Sequence, residues 1–290
     1  MTYTFTVTEE YEGKKLFAYL RAFAGISSSL IKSVKYDEDG LAVNGERAKT
    51  DYAVRAGDRV TVSAGREENS LSPCYTPVPI AYESEDIIVF DKPAGMAVHP
   101  TLNYPDGTLA NVYAGLLASR GEVGAIHLTN RLDKNTSGLV LAGKNRLVTP
   151  LLAKSADKEY LAVVEGIVEE NEGIIDRPIA FEGDSIIKRR TADEGLSAVT
   201  EYRVIERFSN HTLVRMHMFT GRTHQIRVHF SSVGHPLAGD DLYGGGTKLI
   251  SRHALHCARL LFTRPFSGER VVLESPLPED MSALIGSGPL

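Results

Sequence analysis

"NRLDKNTSGLVLAGK", residues 130–144, places two opposite charges, Arg131 and Asp133, just ahead of an uninterrupted apolar run. The run "GLVLAG" (138–143) is too short for a helix and has no polar alternation, which reads as a strand buried on both faces. The segment before it, "DKNTSG", is made of residues that build tight turns, because short polar side chains bond nearby backbone and Gly accepts positive φ. Two readings are open at this point. The charges are ordinary turn chemistry, or the loop presents Asp133 and Arg131 as functional groups from a rigid strand.

Working outward, strand signals recur at "DIIVFDKPAG" (86–95), "KEYLAVVEGIV" (158–168), "AVTEYRVIERF" (198–208), "HTLVRMHMF" (211–219) and "RVVLESPL" (270–277). Few long helical stretches lie between them. In "TGRTHQIRVHFSSVGHP" (220–236), Thr223 as a cap and Gly234 and Pro236 as stops predict a helix from about His224 to Val233. Such a helix carries His224 and Arg227 one turn apart on a shared face. Towards the N-terminus, "KLFAYLRAFAG" (15–25) and "SSSLIKSVK" (27–35) predict two short helices, the second capped from Ser27–Ser29. "GLAVNGERA" (40–48) and "YAVRAGDRVTVSA" (52–64) predict short strands after a lead-in segment. "GREENSLSPCYTPVP" (65–79) has Gly, Ser, Pro and charge without periodicity. The expected organisation is a small αβ module over 1–64, a linker over 65–78 and a larger domain over 79–290. The fold class is α+β, with a central, mainly antiparallel mixed sheet flanked by helices and loops.

The composition, 42% hydrophobic and 24% charged over 290 residues, is that of a globular protein able to bury a full core. No apolar run approaches the roughly 20 residues of a membrane helix, and the N-terminus lacks the order of a signal peptide. A cytoplasmic protein with no membrane association is expected. The formal charge of -5 confines any nucleic-acid contact to local basic patches, since such affinity comes largely from neutralised phosphates. "IIKRRT" (186–191) is the densest basic run, either a solvated hairpin tip or a phosphate-contacting patch.

Cys74 and Cys257 have no metal-ligand spacing around them. His224 and His229 are five apart, the wrong interval for a zinc helix, and His253 and His256 have no evident third ligand. These histidines read as structural hydrogen-bonding groups. No G-x-S-x-G, G-x-G-x-x-G or Walker-type loop is present. Paired carboxylates for glycoside hydrolysis stay open among the 37 acids, with no pair singled out. Asp133 is singled out by its place in a loop between strands, with Tyr160 and Arg227 as polar possibilities on other predicted elements. A carboxylate beside a guanidinium is favoured in its charged form, the state a nucleophile requires.

The motifs "AYESEDIIVFDKPAGMAVHP" (81–100), "NRLDKNTSGLVLAGK" (130–144), "KEYLAVVEG" (158–166), "FTGRTHQIRVHFSSVGHPLAGDDLYG" (219–244) and "ALHCARLLFTRP" (254–265) resemble, in order and spacing, the pseudouridine synthases of the RluA type. The resemblance covers almost all of residues 79–280. It implies an RNA uridine isomerase needing no cofactor and no metal, with ribosomal RNA the first expected substrate and transfer RNA the second. In that reading Asp133 is the catalytic aspartate that cleaves the N-glycosidic bond. Tyr160 packs on the uracil and is implicated in removing the C5 proton, and Arg227 pairs with the aspartate. Arg131 enters the RNA helix as the target base leaves it, Leu255 lines the uracil pocket, and Arg222 and His224 contact substrate. Residues 25–62 resemble, more weakly, an S4 RNA-binding domain. The Ser-Arg-Ser expected there is Ser27–Ser28–Ser29, and residues 1–65 hold nine Lys plus Arg against nine Asp plus Glu, so strong RNA binding by this module is not expected. Asn130 replaces the family's commoner His, a change expected to alter the support of the loop and not the reaction. The alternatives are a non-catalytic RNA-binding or ribosome-assembly factor retaining the fold, and a glycosidase of free nucleosides. A monomer is expected.

Overall fold

A computed structural model describes residues 1–65 and 67–286. The N-terminal module opens with strand β1 (Thr2–Thr6), so the lead-in segment is itself a strand, as its alternation "TYTFT" allows. Helices α1 (Leu16–Ala22) and α2 (Ser28–Val34) follow, the latter capped by the Ser27 hydroxyl, which accepts from the Leu30 N–H. Strands β2 (Leu41–Val43), β3 (Glu46–Arg47) and β4 (Arg59–Ser63) complete a four-stranded antiparallel sheet in the order β1-β4-β2-β3. Leu16, Tyr19, Leu20, Ile31, Val34, Val60 and Val62 form its core.

The larger sheet begins with β5 (Ile80–Glu83) and β6 (Ile87–Lys92), then passes through α3 (Leu109–Arg120) to β7 (His127–Leu128) and β8 (Ser137–Gly143). Helix α3 was not expected. Residues Leu109–Gly115 and Leu117 are all buried, so no polar face marks its period, although Thr108 and Asn111 form a reciprocal capping box at its start. After α4 (Thr149–Ser155) come β9 (Asp157–Glu165) and β10 (Glu172–Asp176). A hairpin of β11 (Ile179–Phe181) and β12 (Arg189–Thr191) is followed by β13 (Val199–Arg207) and β14 (His211–Met218). Helix α5 (Gln225–Ser232), β15 (Leu255–Thr263), β16 (Arg270–Glu274) and α6 (Glu279–Leu284) end the described chain.

The strand order is β10-β13-β14-β9-β15-β8-β6-β5, with β16 on β15 and β7 on β8. Every pairing among the described strands is antiparallel except β8 with β15, which is parallel over His256↔Ser137 and Cys257↔Gly138. This short parallel seam joins two halves of different origin. Strands from residues 80–143 lie on one side and strands from residues 157–274 on the other. Gly138, at φ 107°, makes the seam feasible, because a β-carbon there would sit 2.3 Å from the Cys257 carbonyl oxygen. The sheet is covered on both faces. Tyr160, Ala162, Val214 and Met216 pack in one core with Ile226 and Phe230 of α5, while Val163 and Leu213 meet Met281 of α6 on the other face.

The N-terminal module is anchored beyond the C-terminal end of β8. Leu147 is buried in the module's own core, Phe266 packs tilted against Tyr3 and edge-on against Phe5, and Arg146 binds Asp37, Ser33 and the Ala64 carbonyl. Segment 67–79 has no regular structure but is tied to α3, where the Asn111 amide donates to the Ser72 carbonyl.

Candidate active site

Asp133 lies at the N-terminal end of β8, in a turn closed by the Thr136 N–H donating to its carbonyl. Ser137 and Gly138, expected to shape the loop, already belong to the strand. Each residue that follows the aspartate is held by a different buried basic side chain. Lys92 donates to the Lys134 carbonyl at 3.1 Å, and Arg252 to that of Asn135 at 3.2 Å. His253 Nε2 bonds the Thr136 hydroxyl at 2.8 Å, and His256 Nδ1 the Ser137 hydroxyl at 3.0 Å. Arg252 is itself clamped by both oxygens of Asp280 on α6. Burial, reinforced by Arg252, pushes the Lys92 pKa down to about 7, and burial pushes His253 to about 4. His253 and His256 lie on extended chain and spend their ring nitrogens on these structural bonds.

Arg227 on α5 joins two carboxylates. Its Nη1 donates to Asp133 Oδ2 at 3.0 Å, while Nε and Nη2 hold both oxygens of Asp240 at 2.7 and 2.8 Å. Burial opposes the guanidinium charge, and Asp240 and Asp133 together outweigh it and raise its pKa. Asp240, fully buried, was not singled out in the sequence. It follows Gly239, where a β-carbon would meet the Arg252 carbonyl oxygen at 2.0 Å.

The helix carrying Arg227 starts one residue later than expected. Thr223 is not its cap; His224 is, in the left-handed conformation at φ 58° and without a side-chain cap bond. Gln225 performs the closure instead, its Oε1 accepting from the Arg222 N–H and the Thr220 hydroxyl. His224 and Arg227 do share a face, and His224 Nε2 is 3.6 Å from Asp133 Oδ2.

Asp133, Tyr160, Arg227, Leu255, Arg131, Arg222 and His224 all line one small cavity of about 60 Å³, closed by Met218 and Ile226. Arg131, Asp133, His224 and Arg227 also border a wider cleft of about 720 Å³ that includes His99, Tyr104 and Ile187. Arg131 is exposed, whereas Arg222 is turned back to donate to the Ser197 carbonyl. Tyr160 is 3% exposed, and burial beside Cys257 raises its hydroxyl pKa well above the ordinary value. Asn130 supports the loop by accepting from the Leu141 N–H of β8 and donating to the Leu139 carbonyl. The basic run at 188–190 is largely engaged within its hairpin, with Lys188 on Glu182, Arg190 on Glu194 and Arg189 stacked 3.5 Å from the Phe181 ring centre.

The cavity and the cleft share Arg131, Asp133, His224 and Arg227, so a group entering the cavity is continuous with whatever fills the cleft. The family model for RNA pseudouridylate synthase matches residues 86–232, which include Asp133, Tyr160 and Arg227. The chain belongs to the RNA pseudouridine synthases of the RluA type. It is 38% identical over 268 residues to a Bacillus subtilis protein described as an uncharacterized RNA pseudouridine synthase, YjbO, covering 90% of this chain and 95% of that one. It is 36% identical to the ribosomal large subunit pseudouridine synthase D of Xanthomonas campestris, covering 97% and 91%. Among solved structures, human RNA pseudouridylate synthase domain containing 1 superposes with a TM-score of 0.58 at 23% identity, covering 70% of this chain and 84% of that one, a likeness of fold. The protein is therefore an isomerase whose substrate is RNA. Among the described residues no cluster of three metal-ligating side chains occurs, and no helix is long and apolar enough to cross a membrane.

Proposed function

We propose that this RNA pseudouridine synthase acts on a structured RNA, ribosomal RNA first and transfer RNA second, with Asp133 cleaving the N-glycosidic bond so that uracil turns and rejoins through C5. The observation that carries the reading is the convergence of Asp133, Tyr160 and Arg227 on one small cavity that opens beside the wider cleft. The ribosomal preference draws on relatives such as the large subunit synthase D proteins, 35–38% identical over most of both chains.

A base stacked inside a helix cannot present its glycosidic bond to Asp133, so the uridine must be extruded. Exposed Arg131, at the cavity rim, is the side chain placed to fill the space the base vacates. Tyr160 stays a neutral hydroxyl, which favours packing against the uracil over action as a preformed phenolate base. Leu255 and Met218 supply apolar walls. Residues 1–64 are read as an S4-like module, 65–78 as a linker and 79–290 as the catalytic domain. The seven residues of β8 separate the module's anchor from the Asp133 loop by about 20 Å, so the module does not touch the target base and serves at most a distant RNA segment.

Mapping pseudouridine in total RNA from cells with and without the gene tests this reading. Loss of one or more ribosomal sites is expected on deletion; an unchanged map sinks it. Activity on free uridine instead of RNA would favour the nucleoside glycosidase alternative.

A further inference from the structure

His224 is a non-glycine residue held at φ 58°, a conformation that costs free energy for a side chain with a β-carbon and that gathers at functional sites. What it gains there is visible in its contacts. The Arg189 backbone N–H donates to the Tyr243 hydroxyl at 3.0 Å, and that hydroxyl lies 2.8 Å from His224 Nδ1. Because the tyrosine oxygen already accepts from Arg189, its own proton is free to go to Nδ1. An imidazole accepting at Nδ1 carries its proton on Nε2. That nitrogen is the one 3.6 Å from Asp133 Oδ2. Burial lowers the His224 pKa, with Asp133 opposing and Arg227 reinforcing, in keeping with a neutral ring.

Arg227 Nη1 also donates to Oδ2. Both side chains therefore converge on a single oxygen of Asp133, and among the described residues none donates to Oδ1. We propose that His224 is a positioning residue, fixed as the Nε2–H tautomer by Tyr243 and the Arg189 backbone, which with Arg227 pins Oδ2 and leaves Oδ1 as the oxygen that meets the ribose. The separation of 3.6 Å in the free protein closes to a hydrogen bond when the substrate is seated. Tyr243 is held by the β11–β12 hairpin, whose Ile187 borders the same cleft, so contact of RNA with the hairpin is felt at the aspartate through two hydrogen bonds.

The proposal rests on Asp133 being the catalytic group, and the test separates the two. Two substitutions leave the backbone able to fold as before: Tyr243→Phe, which removes one hydroxyl, and His224→Asn, since Asn tolerates positive φ. Their single-turnover rates are measured by tritium release from total RNA, labelled at uracil C5, of cells lacking the gene. Each is expected to be roughly ten- to hundredfold slower than the parent, as for a misplaced reacting group, and Tyr243→Phe, which borders neither the cavity nor the cleft, is expected to leave RNA affinity unchanged. The double variant is expected to be no slower than His224→Asn alone, because Tyr243 acts through the imidazole. Additive losses, or single variants at the parent rate, overturn the relay. Nitrogen-15 chemical shifts of His224 read the tautomer without reference to activity: Nε2–H is expected, and Nδ1–H overturns the proposal. An Asp133→Asn variant with parent activity would instead refute the catalytic assignment of Asp133, leaving the tautomer result standing.

Discussion

One guanidinium serving two carboxylates makes a sharp prediction about which of them the fold depends on. The Asp240 side chain is 0% exposed and takes two hydrogen bonds from Arg227, whereas that of Asp133 is 29% exposed and takes one. In Asp240→Asn an amide accepts from only one of the two Arg227 N–H groups and turns its own NH₂ towards the other. Removing one partner of a buried ion pair costs about 3–5 kcal/mol. For a chain of 290 residues the unfolding entropy is about 0.6 kcal/mol per kelvin, so Tm falls by roughly 5–8 °C. In Asp133→Asn the guanidinium keeps its buried partner, and a partly exposed pair is worth about 1 kcal/mol or less, a Tm shift of at most about 2 °C. Activity runs the other way. Asp133→Asn should abolish tritium release from C5-labelled RNA while RNA binding stays measurable. Asp240→Asn should retain a residual rate, about a hundredfold down, because Arg227 still reaches Asp133, the proposed catalytic carboxylate, but is no longer aimed. Thermal melts and single-turnover assays on the two variants decide the matter. Equal Tm losses, or an Asp240→Asn protein that melts with the parent, would refute the division of labour.

Three further outcomes follow from the same geometry. His253, neutral against Thr136 and faced by Arg227, Asp133, Asp240 and Arg252, has its folded pKa depressed from 6.5 to about 4. Its contribution is therefore complete above pH 6.5 and lost as pH falls towards 4, about 3 kcal/mol in all; denaturant midpoints between pH 7 and 4.5 should show it, and His253→Gln should flatten the slope. Burial pushes the Cys257 thiol to about 12 while Cys74 is partly exposed, so a thiol reagent at pH 8 should titrate one cysteine in the native protein and two after denaturation; two in the native state would contradict the seam packing. Gly138→Ala should destabilise by about 2 kcal/mol or more, because the added carbon meets backbone and not a yielding side chain, and should slow turnover in whatever still folds; a neutral result would mean that β8 and β15 can part.

The sequence was most legible where a residue type has one physical use. The apolar run after Asp133 made β8, Ser27 made a cap, and the His224–Arg227 spacing put both side chains towards the aspartate. It was least legible where burial erases pattern. Helix α3 hides its period because nearly every face is covered, and Asp240 looks like any acidic residue in a Gly-rich loop until the fold brings it to Arg227. The four basic residues that hold positions 134–137 come from residue 92 and from 252–256, a juxtaposition across the sheet that no local spacing encodes. Asn130 is intermediate. Its departure from the family pattern was visible, but its bonds to Leu139 and Leu141 were not.

The parallel seam has a consequence for how the enzyme comes into being on the ribosome. Residues 80–143 emerge before the rest of the large sheet and carry Asp133 and Arg131 on a four-stranded piece complete in its own antiparallel pairing. Tyr160, Arg227, Asp240, His253 and the α6 carboxylate that steadies Arg252 arrive only with the following hundred-odd residues. A nascent chain thus displays its aspartate beside the RNA of the ribosome long before it can act on any. The seam also marks where the catalytic unit divides, so fragments broken between β8 and β9 and expressed together should regain activity that neither has alone; co-expressed fragments that fold but stay inactive would argue against it.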